Sequence, residues 1–240
     1  MTQLIDELKT QVHVWYCDPR DIQDASKLTA YESVLSEREV QQYRRFHFDK
    51  DRHSYLVSHA LLRYSLSQYA DVDASKWEFS RNEHGKPELI SPPGMKAIHF
   101  NLTHTEGMSA CVVTLEKPCG IDAENKNRNN KLDAVASRMF ADEECRQLNE
   151  NELEQTFFYY WTLREAYVKA LGIGLSGSSR EYYFDIDMDE MKAVIHHRNR
   201  QQAVDDYWQF GLYEPTTEHV LSVAFESDSP VEVKLRELIP

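Results

Sequence analysis

The chain has 240 residues, of which 41% are hydrophobic and 28% are charged, and its formal net charge is -13. This balance predicts a folded protein rather than a disordered one, and the negative charge argues against a general nucleic-acid-binding role, because a phosphate backbone requires a basic surface. The first residues interrupt their apolar side chains with charges, and no later run approaches 18 apolar residues, so we expect a cytoplasmic protein without membrane contact.

The first elements predicted along the chain are a strand and two helical segments. The strand is expected at 12–17 and the first helix at 28–35. A longer helical pattern starts after Ser36, whose spacing from Glu39 is typical of a capping box, and this pattern is predicted to break near 48–50.

The remaining elements combine strands and helices in mixed order. Strands are expected in the segments WEF, IHFNLTHT, MSACVVTLE, GIDAEN, EYYFDIDM, YWQFGLYE and HVLSVAFES. Helices are expected in DAVASRMFADEECRQL and TFFYYWTLREAYVKAL, and HGKP is predicted to form a turn. The order predicts an α+β fold with mostly antiparallel sheets. We place a domain boundary so that residues 1–107 form the first half and residues 108–240 the second.

The strand GIDAEN places two carboxylates on one face. Side chains alternate between the faces of a strand, so Asp122 and Glu124 point to the same side. One interpretation is the solvated polar face of an edge strand, since charged residues usually lie outside. The other is an oxygen-ligand site for Mg²⁺, in which a cation relieves the repulsion between the two carboxylates.

The predicted helix WTLREAYVKAL carries a glutamate and a lysine one turn apart. Its periodicity places Glu165 and Lys169 on one stripe with Trp161 and Phe157. Glu before Lys at this spacing also forms an ordinary surface pair worth only about 0.2–0.5 kcal/mol. The GIG segment that follows is typical of a helix end, because glycine tolerates the left-handed conformation found there.

Segments of the first half are suited to hold phosphate. FNLTHTEG ends a strand in neutral donors and acceptors that include Thr103 and His104, although a polar loop with one structural histidine has the same pattern. HGKP adds Lys86 on a turn whose backbone is fixed by Pro87. A basic run contains Arg44, Arg45, His47, Lys50, Arg52 and His53.

Taken in order, GKP (85–87), FNLTHT (100–105), GIDAE (120–124) and WTLREAYVKALGIGL (161–175) resemble the motifs of 4'-phosphopantetheinyl transferases of the Sfp type. The resemblance covers roughly residues 10–225 and includes the segment KDRHSYLVSHALLR. It implies two similar α/β halves related by pseudo-twofold symmetry, a monomer, and coenzyme A held in the cleft between the halves.

The resemblance also implies a Mg²⁺-dependent reaction. Asp122, Glu124 and Glu165 would be the metal ligands, and Lys169 would contact phosphate oxygens. A serine of an apo acyl or peptidyl carrier protein would attack the β-phosphorus of coenzyme A, releasing 3',5'-ADP. Glu165 is the first candidate for the base that accepts the serine proton, directly or through a water, and Glu144 is the second.

The rest of coenzyme A is expected to bind the first half. By similarity, its phosphates and adenosine would be held by Lys86, Pro87, Thr103 and His104. Glu39, Gln42 and Ser54 stand where relatives commonly carry basic residues for the 3'-phosphate. That phosphate is therefore assigned to Arg45 and Arg52, with Arg38 as a further candidate.

Two other functions fit parts of the pattern. A non-catalytic relative could bind coenzyme A or a carrier protein, but it would not need the complete set of carboxylates and lysine. A Mg²⁺-dependent phosphoesterase acting on nucleotides could use the three acidic residues, but it would not need the FNLTHT and GKP segments. We therefore expect a transferase.

Overall fold

The computed structural model describes residues 3–92, 94–95, 97–128, 132–150, 153–174, 180–198 and 207–240, without the side chains of 133, 149–150 and 153–155. Within those residues, no helix is long and apolar enough to cross a membrane. The chain divides into two compact units, and unit 1 comprises Met1–Pro118 together with Val231–Pro240, while unit 2 comprises Cys119–Pro230.

The helices and strands follow one another in mixed order. In the first part of the chain they are α1 (Gln3–Glu7), β1 (Gln11–Cys17), α2 (Ala25–Val34), α3 (Glu37–Tyr43), α4 (Asp49–Ser67), β2 (Glu78–Arg81), β3 (Pro87–Ser91), β4 (Ile98–Thr105) and β5 (Met108–Leu115). They continue as β6 (Cys119–Asn125), α5 (Leu132–Met139), α6 (Asp142–Glu150), α7 (Leu153–Leu171), β7 (Tyr182–Asp187), β8 (Lys192–His197), β9 (Trp208–Thr216), β10 (His219–Glu226) and β11 (Glu232–Glu237).

In unit 1 the long helix α4 packs against a four-stranded sheet. The sheet has the order β11-β1-β5-β4, and its pairs are antiparallel except for the parallel pair of β1 with β11. Helix α4 contacts β5, β4 and β1 and buries Leu56, Leu61 and Leu66 in the core. The β2–β3 hairpin follows α4 and carries the GKP turn, where Gly85 has a φ of 88°.

Unit 2 repeats this chain order. Its long helix α7 packs on β6 and β10 of an antiparallel sheet with the order β6-β10-β9, and a hairpin, β7–β8, again follows the helix. The order β1-β5-β4 in unit 1 therefore corresponds to β6-β10-β9 in unit 2, and α4 corresponds to α7. The predicted α+β class, the mostly antiparallel sheets and the similarity of the halves are confirmed, whereas their pseudo-twofold relation stays a prediction.

A buried ion pair fixes the short helix of unit 1 to the long one. Glu39 of α3 accepts from the Ser36 N–H at 2.8 Å, which completes the predicted capping box. The same carboxylate accepts from Arg63 of α4 at 2.6 Å and lies 2.8 Å from His59 Nδ1. Because a buried charge is costly unless it is paired, these bonds fix the packing of α3 on α4.

The predicted boundary between residues 107 and 108 was misplaced. Strand β5 starts at Met108 but pairs with β1 and β4, so it belongs to the first sheet, and the division falls after Pro118. The C-terminal strand β11 also belongs to unit 1, which no local signal in the sequence indicated. Strands β3 and β8 were missed as well, since each is short and lies in a two-stranded hairpin.

Candidate active site

The strand β6 and the helix α7 approach each other closely at Gly120. A Cβ atom at this position would lie 2.0 Å from the carbonyl oxygen of Ala166 and 2.4 Å from the amide nitrogen of Ala170. Only glycine leaves room for the helix backbone here. Since Asp122 lies two residues further on the same face of the strand, this contact places it beside the C-terminal half of α7.

Asp122 is buried and binds a lysine of α7. Its side chain is 8% exposed, and its Oδ1 accepts from Lys169 Nζ at 2.6 Å. The same ammonium donates to the Ile121 carbonyl oxygen at 3.2 Å. The solvated-edge interpretation of GIDAEN is therefore wrong for Asp122, and the Lys169 side chain faces the strand β6.

Glu124 is the second carboxylate on this face. Its side chain is 14% exposed and accepts from Arg128 at 2.7 Å. Arg128 is largely exposed, so the pair contributes little to stability. Each strand carboxylate thus has a cationic partner, Lys169 for Asp122 and Arg128 for Glu124.

Glu165 lies one turn before Lys169 on α7, and its titration depends on both strand carboxylates. Its pKa is raised to about 7, first by burial, then by the negative charge of Asp122 and, to a smaller extent, by that of Glu124, while Lys169 opposes the rise. A carboxylate with a pKa near neutrality can accept a proton at physiological pH and release it again, which is what a general base requires. Such shifts are concentrated at functional sites.

Glu144 has a structural role that argues against its being the base. The carboxylate is fully buried, and it accepts from Arg164 at 2.9 Å and 2.5 Å and from the backbone N–H groups of Ala141 and Phe184, each at 2.9 Å. The Arg164 guanidinium also donates to the Tyr182 carbonyl oxygen. This arrangement repeats the Glu39–Arg63 pair of unit 1, and it leaves Glu144 without access to a substrate.

The oxygen donors of unit 2 suit Mg²⁺. In the part of the chain that the structure describes, no three His, Cys, Asp or Glu side chains are grouped as a ready-made metal site. Mg²⁺ does not need such a group, since it commonly binds one or two carboxylates, waters and substrate phosphates. Burial and, after it, repulsion by Asp122 raise the pKa of Glu165, and a bound divalent cation would relieve that repulsion. The set of Asp122, Glu124 and Glu165 therefore fits the ion chemically.

Unit 1 contains a cavity of about 810 Å³ with basic and aromatic walls. Its cationic or titratable basic side chains come from Arg38, Arg45, His59, Arg81 and His104. Its aromatic side chains are those of Phe46, Tyr55 and Phe79. The cavity also includes Glu39, but that carboxylate is bound by Arg63 and His59. The walls therefore offer positive charge and flat apolar surfaces.

The residues predicted to bind coenzyme A divide into two groups. Arg45, Pro87 and His104 line this cavity. Of the described residues, Arg52, Lys86 and Thr103 do not line it: Arg52 donates to Asp49 Oδ1 and to the Phe46 carbonyl oxygen, both at 2.8 Å. Thr103 is buried in β4, and Lys86 lies in the turn before β3. The predicted contacts of all six residues with coenzyme A stay predictions.

Arg81 and His59 also line this cavity, and neither was predicted from the sequence to bind coenzyme A. Arg81 ends the strand β2 just before the GKP turn, and its guanidinium donates to the Gly85 carbonyl oxygen at 2.8 Å. His59 lies one turn after Tyr55 on α4, so a stripe at i and i+4 that faces the cavity was available as a signal.

Comparison with known proteins identifies the family. A family described as "4'-phosphopantetheinyl transferase superfamily" matches residues 118–224, and one described as "4'-phosphopantetheinyl transferase, N-terminal" matches residues 23–116. The 4'-phosphopantetheinyl transferase HetI of Nostoc sp. is 32% identical over 172 residues, which cover 70% of this chain and 72% of HetI. The chain belongs to the 4'-phosphopantetheinyl transferase superfamily, as the motifs predicted.

Two further known proteins are similar over a smaller part of the chain. The 4'-phosphopantetheinyl transferase Sfp of Bacillus subtilis is 31% identical over 147 residues, which cover 60% of this chain and 63% of Sfp. The crystal structure of holo-[acyl-carrier-protein] synthase from Thermotoga maritima is similar over 47% of this chain and 64% of its own, with 20% identity and a TM-score of 0.38.

Proposed function

We propose that this chain transfers the 4'-phosphopantetheine group of coenzyme A to a serine of an apo acyl or peptidyl carrier protein, in a Mg²⁺-dependent reaction that releases 3',5'-ADP. The observation that carries the proposal is the bond between the buried Asp122 of β6 and Lys169, which lies one turn after Glu165 on α7, in a chain of this superfamily. The raised pKa of Glu165 in the metal-free protein supports it. The proposal keeps the expectation of a cytoplasmic monomer without a nucleic-acid partner.

The residues of unit 2 have separate tasks in this reaction. Asp122, Glu124 and Glu165 would hold Mg²⁺, which when bound neutralises charge on the phosphates of coenzyme A. Glu165 accepts the proton of the carrier serine, directly or through a water, while the serine oxygen forms a bond to the β-phosphorus. The bond between that phosphorus and the bridging oxygen breaks, and 3',5'-ADP leaves with the electron pair.

Lys169 has a positioning task and an electrostatic one. Through its bond to Asp122 it fixes that carboxylate on β6, and its positive charge limits the rise of the Glu165 pKa. Its side chain is 29% exposed, which supports the proposed contact of its ammonium with phosphate oxygens.

The direct test is the mass of the carrier protein. We expect that the protein, Mg²⁺ and coenzyme A together add one phosphopantetheine group to an apo carrier protein, as followed by intact mass. A carrier whose acceptor serine is replaced by alanine, and a reaction with excess chelator, should both stay unmodified. Failure across several acyl and peptidyl carriers would reject the proposal and would favour a non-catalytic relative that only binds coenzyme A or carriers.

The cavity of unit 1 is proposed to hold the adenosine and 3'-phosphate end of coenzyme A. Its arginines supply the charge that an otherwise acidic protein needs to bind a polyanion. We expect Arg45→Ala and Arg81→Ala each to raise the KM for coenzyme A by about 10-fold with kcat within twofold, because a hydrogen bond to a charged group contributes about 1.5–3 kcal/mol.

A substrate without the 3'-phosphate separates the roles of these arginines. For the arginine that contacts this phosphate, replacement should raise the KM for coenzyme A but leave the KM for 3'-dephospho-coenzyme A unchanged. Arg20→Ala, which removes an exposed arginine bound to Asp18, serves as the control and should alter neither value. Unchanged KM values for coenzyme A in both cavity variants would contradict this placement.

A further inference from the structure

An exposed aromatic side chain lies within the basic run between α3 and α4. Phe48 is 67% exposed, which is the largest exposed fraction of any large hydrophobic side chain among the described residues. It precedes the first residue of α4 and forms no side-chain cap bond there, so the helix start does not depend on its ring. The exposed side chains of Arg44, His47 and Lys50 lie next to it in the chain. We call these four residues the Phe48 patch.

The charge of this segment is opposite to that of the whole protein. Residues 44–53 contain four Lys or Arg side chains and two carboxylates, whereas the chain has a formal net charge of -13. Asp49 is bound by Arg52 at 2.8 Å. Among the described residues, the side chains of Arg44 and Lys50 take part in no ion pair. The Phe48 patch is therefore a local basic surface with an apolar centre.

Charge complementarity narrows the kind of molecule that this surface can bind. A second copy of the chain joined by a twofold contact would bring the basic side chains against each other, and two molecules of charge -13 repel. Nucleic acid would meet the same overall repulsion. An acidic protein surface with an apolar pocket complements both the cations and the ring, because interfaces favour aromatic anchors surrounded by a polar rim.

We propose that the Phe48 patch is the docking surface for the acidic carrier protein, an inference that rests on the proposed function. The ring of Phe48 inserts into an apolar depression of the carrier, and Arg44 and Lys50 pair with carboxylates around it. The patch adjoins the cavity of unit 1, since the neighbouring residues Arg45 and Phe46 line that cavity.

Binding to a carrier that cannot be modified tests the proposal without turnover. The probe is a fluorescently labelled apo acyl carrier protein whose acceptor serine is replaced by alanine, titrated with the full-length enzyme. We expect Phe48→Ala to weaken binding by about 5- to 30-fold, as for an aromatic anchor at an interface. Lys50→Glu should weaken it about 3- to 10-fold at low salt and less at high salt.

Matched variants in the same unit test whether carrier binding is weakened by any loss of an exposed apolar side chain or by any reversal of a lysine charge. Ile239→Ala removes an apolar side chain that is 52% exposed outside the patch, and Lys76→Glu makes the same charge change at another exposed lysine. Both should leave binding within twofold of the wild type. Equal thermal melting temperatures of all four variants establish that the fold is retained.

Steady-state kinetics provide the second measurement. For a carrier that the enzyme modifies, Phe48→Ala and Lys50→Glu should raise the KM for the carrier and leave the KM for coenzyme A unchanged. If the wild type modifies carriers but both variants bind them as the wild type does, the docking surface is rejected and the proposed function stands. If carriers bind through the patch but are never modified, the proposed function fails and the docking surface stands.

Discussion

Glu165→Gln is expected to lower kcat for phosphopantetheine transfer by about 100- to 10,000-fold, the range over which a general base usually contributes. The amide keeps the size of the side chain but cannot accept the serine proton, and it is a poorer ligand for a cation. The KM for coenzyme A should change little, because the proposed adenosine site lies in unit 1. Activity within tenfold of the wild type would reject Glu165 as the base.

The same substitution is expected to stabilise the metal-free protein at alkaline pH. The folded protein raises the pKa of Glu165 from 4.5 to about 7, so the unfolded chain ionises first as the pH rises. Below pH 4.5 both states are protonated and the group has no effect. Between pH 4.5 and about pH 7 the ionisation of Glu165 lowers the free energy of unfolding of the wild type. Above pH 7 this loss stays constant.

Thermal melting in chelator-containing buffer measures this effect. We expect Glu165→Gln to raise the free energy of unfolding by about 1–2 kcal/mol at pH 8, a value reduced for the partial exposure of Glu165. This corresponds to a melting temperature higher by about 2–8 °C. At pH 4.5 the substitution should change the free energy of unfolding by almost nothing. The control is Glu181→Gln, which removes an exposed carboxylate of the same unit and should show no such pH dependence. An equal gain at both pH values would contradict the raised pKa.

Glu144→Gln is expected to destabilise the protein by about 3–5 kcal/mol, because it leaves the buried Arg164 guanidinium without its counter-charge. Urea unfolding of the metal-free protein measures the loss. Glu143→Gln is the matched control on the same helix. Its partner Arg198 is 38% exposed, so we expect at most about 1 kcal/mol.

The kinetics of the Glu144→Gln variant distinguish a structural residue from a base. At a temperature where the variant is folded, kcat should lie within tenfold of the wild type. The acidic limb of its pH–rate profile should be unchanged, since Glu165 sets that limb. Loss of this limb in Glu144→Gln, with its retention in Glu165→Gln, would reverse the assignment of the two glutamates.

The local patterns of the sequence predicted the acidic part of the site. Alternation along GIDAEN placed Asp122 and Glu124 on one face, and the helical period placed Glu165 and Lys169 on one stripe. The strand-to-helix pairing was not predictable, because whether Lys169 binds Asp122 depends on how closely α7 approaches β6. That distance is set by the lack of a side chain at Gly120, and its effect appears only when both elements are folded.

The residues that line the cavity of unit 1 were harder to predict from the sequence. Its walls come from α3, α4 and the strands β2 to β4, and the order of residues along the chain does not show which side chains of these elements converge. Glu39 illustrates the difficulty, because a carboxylate at this position predicts a weaker anion site. Its charge is in fact bound by Arg63 and His59, so arginines elsewhere in the cavity keep their positive charge available.

The return of β11 to unit 1 has a consequence for synthesis on the ribosome. Strand β1 is synthesised before the other strands of its sheet, and five of its seven residues are buried in the folded protein. Its neighbour on one side, β11, is made only after the whole of unit 2. Until then β1 is the edge of its sheet, with unpaired backbone groups and apolar side chains, which is the kind of edge that promotes aggregation. Strand β11, EVKLRE, covers this edge of β1 with alternating charged residues, so the folded sheet then has an outer strand that discourages further pairing.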